Sequence, residues 1–216
     1  MEQVSFKTRV KNVAIENAHK YKAYYVDKDY LLISDAFHDK NYYCVKAEKD
    51  NYLHLLGVST KLSAESFFDK CEDGSLSEDD FEIMANERDA KSVKGSIRRK
   101  INVLPEIFEL MSEKSMVEES FQKNKVFCSI ASANDECTLG FVSTPAARPK
   151  SLLKGNELNS QKSKPIKIIL SKKRNEDKYD NLIVGSKEDL VENYELVKAL
   201  VSKKLENIIL SENKKE

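Results

Sequence analysis

The short strand-like runs of this chain limit its fold most, because they are joined by turns and irregular loops instead of regular helices. Such runs occupy residues 30–34, 42–47, 52–58, 125–131, 137–143, 165–171 and 181–184. Parallel strands need long crossover connections, usually helical. Residues 132–135 instead read as a hairpin connection between two of the runs. The pattern predicts an α+β fold in which helices pack on an antiparallel sheet.

Amphipathic stretches predict where those helices lie. Apolar residues recur at helical spacing over residues 4–21, which predicts an opening helix before a meander formed by the first three strand-like runs. Ser63 and Ser77 are suitable N-caps for two short helices, and residues 92–111 predict a longer helix that Pro105 should divide. A last helix should follow Ser186 and carry an apolar stripe: Leu190, Tyr194, Val197, Val201, Leu205 and Ile208.

The chain is large enough to bury a substantial core. It has 216 residues, of which 40% are hydrophobic, and no Gly/Ser linker separates its parts. We therefore expect one α+β domain over residues 1–216. A possible subdivision is a helix and meander half, residues 1–112, and a sheet with the C-terminal helix, residues 117–212.

Several functional classes are disfavoured by missing patterns. The N-terminus lacks a continuous apolar segment, and no run of eighteen apolar residues occurs, so we expect a cytoplasmic protein without membrane contact. The four cysteines show neither a CxxC pair nor zinc-ligand spacing. Signatures of P-loop nucleotide hydrolysis and zinc proteolysis are absent too. We expect no cofactor and no metal.

Charge is balanced overall but uneven along the chain. Lys and Arg number 36, as do Asp and Glu. Residues 143–178 hold ten basic and three acidic residues, whereas residues 64–90 hold ten acidic and two basic residues. The basic stretch could bind a polyanion, or both stretches could be solvated surfaces that partly neutralise each other.

His54 is the most informative candidate for chemistry. It stands in the apolar run Tyr52–Gly57, where a polar side chain needs a partner or a purpose. A histidine that titrates near neutrality can exchange protons during phosphodiester cleavage. The alternative is a hydrogen-bonded core histidine.

A second candidate site is the segment 143–155, which the prolines at 145 and 149 should stiffen as part of a long loop over residues 144–164. Arg148 could bind a phosphate through two hydrogen bonds, and Lys150 or Lys154 could add a point charge. Thr144 or Ser151 could donate to a phosphate oxygen. A solvated connector is the alternative. Lys172 and Lys173 end a strand, where they could contact a ligand or only add solubility.

The sequence resembles a phage-associated group of nuclease-like domains in the Barnase, EndoU, colicin and RelE-like superfamily. The likeness lies in residues 52–58, 66–71 and 74–81. Members of this group show a His-Leu-Thr-Gly tetrad, a short helix, a Gly-x-Leu turn and an acidic helix start. Residues 54–57 here read His-Leu-Leu-Gly, so Leu56 replaces the threonine and removes a hydroxyl.

That resemblance implies a BECR-like ribonuclease fold and metal-independent RNA cleavage through attack of the ribose 2′-hydroxyl. The working hypothesis makes His54 a general acid or base, with Arg148 and Lys154 offsetting phosphate charge and Ser151 orienting an oxygen. Thr144, Lys150, Lys172 and Lys173 would contact the RNA.

The biological setting could be a phage or mobile-element toxin that has a protein antitoxin or inhibitor. The alternative function is a non-catalytic interaction protein that binds a protein or a nucleic acid. A DNA-binding regulator is weaker, because no helix-turn-helix pair is evident.

Overall fold

The computed structural model describes residues 4–83 and 90–210. Its strands in chain order are β1 Lys28–Ile33, β2 Tyr43–Lys46, β3 Ser59–Thr60, β4 Phe81–Glu82, β5 Met116–Glu119, β6 Gln122–Lys123, β7 Val126–Phe127, β8 Ile130–Ala133, β9 Cys137–Ser143, β10 Ala147–Lys154, β11 Lys164–Pro165, β12 Ile168–Lys173 and β13 Asn181–Val184. The α-helices are α1 Phe6–Tyr21, α2 Asn51–Leu56, α3 Ala64–Glu72, α4 Ala90–Val103, α5 Lys187–Glu192, α6 Tyr194–Val197 and α7 Lys203–Leu210.

Nine strands form one sheet in the order β11-β5-β8-β9-β10-β2-β1-β12-β13. Every neighbouring pair is antiparallel except β10 and β2, which run parallel. The predicted α+β class with an antiparallel-dominated sheet is therefore confirmed. Since β1 and β2 lie between β10 and β12, strands from both ends of the chain share this sheet. The single-domain interpretation and its possible subdivision stay predictions.

Both faces of the central strands are covered by helices. In β1, Tyr30 and Leu32 belong to the main apolar cluster under helices α1, α3 and α4, whereas Leu31 and Ile33 pack with residues of α5 to α7. This alternation follows from the period-two geometry of a strand. Each fully buried leucine contributes roughly 1.5–3 kcal/mol of transfer free energy. Burial on both faces therefore holds the central strands in place.

Local capping signals place several helices as predicted. Ser5 accepts a hydrogen bond from the Thr8 N–H at the start of α1, and Ser63 accepts one from the Ser66 N–H at the start of α3. Ser186 and Asp189 form a reciprocal capping box before α5. The predicted division at Pro105 is also confirmed, since α4 gives way to a 3₁₀ segment, Leu104–Glu109.

The strand predicted at residues 52–58 is wrong, because this segment forms helix α2. Tyr52, Leu55 and Leu56 are buried while His54 is exposed, a spacing that suits one face of a helix. Gly57 ends the helix with a left-handed φ of 77°. A six-residue helix thus replaces the third strand of the expected meander.

The long loop predicted at residues 144–164 is also wrong, because its first half forms β10. Ala147, Pro149 and Leu152 are buried and Lys150 is exposed, as in a strand with one buried face. The small and basic residues of this segment do not show that alternation in the sequence. Pro149 adjoins a register shift against β9. A proline without an N–H is tolerated beside such an irregularity.

The single C-terminal helix predicted after Ser186 is wrong in extent, because α5, α6 and α7 replace it. The break between α6 and α7 lies where the chain bonds to the backbone of Tyr179. The Tyr179 N–H donates to the Leu200 carbonyl, and the Tyr179 carbonyl accepts from the Ser202 N–H. Ile209 is therefore buried where Ile208 was expected. The acidic stretch is described only in part, since residues 84–89 lie outside the described residues. Within the described segments, no helix has the length and apolar character needed to cross a bilayer.

Candidate functional site

A cleft opens beside the second half of β10. This strand pairs with β9 as far as Lys154, but its parallel pairing with β2 is made through Ala147 and Val45 near its start. Helices α2 and α4 pack against β10. The cleft has a volume of about 500 Å³, and its polar lining includes Ser96, Arg99, Lys100, Lys123, Ser151 and Lys154. We call it the cationic cleft.

Positive charge dominates the cationic cleft. Four of its lining side chains are cationic and one, Glu157, is acidic. Lys123 pairs with Glu157 at 2.6 Å between Nζ and Oε2. Among residues 4–83 and 90–210, no carboxylate pairs with Arg99, Lys100 or Lys154, so these three add net positive charge to the lining. Such a group of donors suits the oxygens of a phosphate.

Lys100 is the most perturbed cation of the cleft. Burial removes water from its amine and lowers the pKa from 10.5 to about 8. Its Nζ donates to the His54 carbonyl oxygen at 2.6 Å. An ammonium with such a pKa can release a proton near neutral pH, which is a property of catalytic acids.

His54 lies next to Lys100 at the end of α2. Its side chain is exposed, so it is not a core histidine. Because its carbonyl accepts from Lys100, ordinary covalent geometry keeps the imidazole within roughly 10 Å of the Lys100 amine. The ring is therefore accessible to solvent and near a lysine of the cationic cleft.

Arg148 attaches α2 to β10 instead of lining the cleft. Its Nη2 lies 2.7 Å from the Asp50 Oδ1, and Asp50 directly precedes α2. With Arg148 at one end of α2 and Lys100 at the other, the helix that carries His54 is held at both ends. The geometry favours a positioning role for Arg148.

The remaining predicted residues lie in different environments. Ser151 and Lys154 line the cationic cleft, whereas Thr144 and Lys150 are exposed and outside its lining. Lys172 is 9% exposed, and its Nζ lies 3.1 Å from the fully buried carboxylate of Asp29. Lys173 lines a separate depression.

The basic character of α4 is a signal that sequence reasoning missed. The helix carries five cations and no carboxylate: Lys91, Lys94, Arg98, Arg99 and Lys100. The apolar periodicity of this stretch predicts a helix, and its set of cations is a second signal in the same residues. Two of the five line the cationic cleft.

Three of the described acidic residues of the stretch 64–83 pair with lysines outside the cleft. Lys49 binds Asp69, Lys22 binds Glu72 and Lys70 binds Asp80. These carboxylates neutralise nearby surface charge. None of these three pairs includes a cation of the cleft.

Leu56 is fully buried in the main core. A threonine at this position would direct its side chain toward the same interior. The replacement of threonine by leucine therefore alters the core side of α2, away from the exposed face that carries His54.

One comparison with known proteins finds a match. The family model described as phage-Barnase-EndoU-ColicinE5/D-RelE like nuclease4 matches residues 15–188. Searches of curated proteins and of solved structures found no significant match. The matched range includes α2, α4 and β10 and covers more than half of the chain. The chain therefore belongs to the phage-Barnase-EndoU-ColicinE5/D-RelE like nuclease4 family.

Proposed function

We propose that this nuclease-family chain cleaves RNA at the cationic cleft, without a metal ion, through attack of the ribose 2′-hydroxyl. Family membership supports a nuclease module and a nucleic-acid substrate. The observation that carries the proposal is the hydrogen bond from Lys100, a cleft residue, to the backbone carbonyl of His54. The exposed imidazole of His54 is not part of the cleft lining, but this bond keeps it within roughly 10 Å of the Lys100 amine.

In the proposed reaction, His54 takes the proton from the 2′-hydroxyl. The 2′-oxygen then forms a bond to phosphorus while the bond from phosphorus to the 5′-oxygen breaks. Lys100 donates a proton to the departing 5′-oxygen, since its lowered pKa makes it a competent acid near neutrality. The products are a 2′,3′-cyclic phosphate and a 5′-hydroxyl end.

Charge stabilisation comes from the rest of the cleft. Arg99 and Lys154 offset negative charge that accumulates on the phosphate oxygens, and the Ser151 hydroxyl donates to one of them. Arg148 acts through Asp50 by holding α2 in place. Of the exposed residues, Thr144 and Lys150 would contact more distant parts of the RNA. Lys173 lies in a separate depression, away from the cleaved phosphate.

Cleavage of an end-labelled single-stranded RNA in EDTA tests the proposal. We expect cyclic-phosphate products, and a single 2′-deoxy substitution at the cleaved step should stop cleavage there. Replacing His54 by Ala should lower the rate by about 10²-fold or more, the usual contribution of general acid–base catalysis. His19→Ala is the matched control, because His19 is an exposed histidine on α1.

The same assay separates the two functional classes. RNA cleavage that survives His54→Ala unchanged would refute the assigned role. Binding of RNA without products by the folded wild-type chain would favour the non-catalytic interaction protein. The proposal includes a phage or toxin context, in which the protein acts in the cytoplasm and a protein antitoxin or inhibitor binds it. Toxicity on expression of the chain in cells, removed by His54→Ala, would support this context.

A further inference from the structure

A second depression adjoins the cationic cleft. It has a volume of about 600 Å³, and its lining includes Ser120, Gln122, Asn124, Asn159 and Lys162. Lys123, Asn124 and Glu157 line both depressions, so the two form one continuous surface. We call the second depression the amide groove. Each volume is in the size range of ligand sites.

The β6–β7 hairpin forms the wall between the two depressions. Lys123 pairs with Val126 across this hairpin, and both line the cationic cleft. Gln122 pairs with Phe127 on the opposite face, and Gln122 lines the amide groove. One hairpin thus places Lys123 in the lining of both depressions and Gln122 in the lining of the amide groove alone.

The amide groove differs from the cleft in its content of amides, since Gln122 and Asn159 line the groove alone and Asn124 lines both depressions. Neither the Gln122 amide nor the Asn124 amide has a side-chain hydrogen-bond partner within residues 4–83 and 90–210, and both side chains are exposed. An amide presents a donor beside an acceptor, the combination that reads the edge of a nucleobase. Lysines alone would bind phosphate without distinguishing bases.

An exposed aromatic ring stands beside the Gln122 amide. Phe127 is 58% exposed and lies directly across the hairpin from Gln122. A large apolar side chain held in water by a short hairpin can stack on a base. Amide and ring together therefore offer an edge contact and a face contact for one nucleotide.

We infer that the amide groove binds the nucleotide next to the cleaved phosphate and selects its base. Gln122 and Asn124 bond to the base edge, Phe127 stacks on its face, and Lys162 meets the following phosphate. The inference rests on the proposed RNA cleavage in the cationic cleft and adds base selectivity to it. Recognition of single-stranded RNA depends on such edge and stacking contacts.

The test maps cleavage across RNAs that contain all sixteen dinucleotide steps. We expect the wild-type chain to prefer particular bases beside the cleaved bond by on the order of tenfold. The double variant Gln122→Ala with Asn124→Gly should bring this ratio close to one, mainly by lowering the rate at the preferred steps. Glycine is chosen because Asn124 has a φ of 52°.

Asn175→Gly, in the exposed turn after β12, is the matched control and should keep the wild-type profile. A wild-type chain that cleaves every step equally, or a double variant that keeps the preference, would overturn the inference while cleavage itself stands. Absence of any cleavage would instead count against the proposed function.

In that event binding of A8, C8 and U8 oligonucleotides decides the inference on its own. Wild-type discrimination that the double variant loses supports base selection, and equal affinities reject it. Phe127→Ala should weaken binding of the preferred oligonucleotide about fivefold or more, and an unchanged affinity would reject the stacking contact.

Discussion

Replacing Lys100 by Met should make the protein more stable and less active. The charged amine is costly in the folded state, because burial lowers its pKa from 10.5 to about 8 and no carboxylate in the described part of the chain offsets the cost. Methionine fills a similar volume without the charge. If Lys100 takes part in the reaction, the variant should lose catalytic activity while it gains stability.

The size of the effect follows from the change in pKa. A lowering from 10.5 to about 8 corresponds to about 3 kcal/mol of unfavourable free energy when the amine is protonated. Loss of the hydrogen bond to the His54 carbonyl costs about 1 kcal/mol. The free energy of unfolding of the Lys100→Met variant should therefore exceed that of the wild type by about 2 kcal/mol at pH 7.

The pH dependence gives an independent check. Below about pH 8 the amine is protonated in both the folded and the unfolded chain, so the full penalty is present. Between about pH 8 and 10.5 the folded chain loses the proton first, and the penalty declines as pH rises. The stability advantage of the variant should therefore shrink across this window, and above it only the cost of about 1 kcal/mol for the lost hydrogen bond to the His54 carbonyl remains.

Urea unfolding at pH 7 and at pH 10, followed by circular dichroism, measures both quantities. RNA cleavage by the variant should fall by about 10²-fold at pH 7, and wild-type cleavage should decline above about pH 8 as Lys100 loses its proton. Lys94→Met is the matched control, since Lys94 is exposed on the same helix; its stability should change by less than about 0.5 kcal/mol. A Lys100→Met variant that is less stable at pH 7, or equally shifted at both pH values, would refute the reasoning.

Substitutions at Gly57, Gly140 and Ser186 test the local geometry by urea unfolding. Gly57→Ala should cost about 1–2 kcal/mol, because φ is 77° and the new Cβ would lie 3.0 Å from Lys100 Cδ; no loss would argue against the left-handed end of α2. Gly140→Ala should cost about 1–3 kcal/mol, because its Cβ would lie 2.5 Å from Cys128 Sγ, and Cys128→Ala should restore most of that loss; equal costs in both backgrounds would contradict the contact. Ser186→Ala should cost about 1 kcal/mol through the lost cap of α5, whereas Ser186→Thr should cost less.

Elements with strong local signals could be read from the sequence alone. The period of α1, the capping box at Ser186 and the division at Pro105 depend on residues a few positions apart. The hairpin of β8 and β9 is local as well, since antiparallel strands need only a short turn. These signals were sufficient for the α+β class, and the His54 tetrad carried the resemblance to the family.

Tertiary packing decided the segments whose local pattern was ambiguous. Residues 51–56 could have been a strand or a helix by their apolar content, and their burial against the core selects the helix. β10 required β9 as a partner before its basic and proline-containing sequence became a strand. Short elements have too little intrinsic preference to determine their own state.

The candidate site itself could only be seen in three dimensions. Lys100 meets His54 across 46 residues of sequence, and Arg148 meets Asp50 across 98. The low pKa of Lys100 arises from water excluded by its neighbours, which no local pattern records. The sequence determined which chemical groups the protein has, and the fold determined which of them face the same cleft.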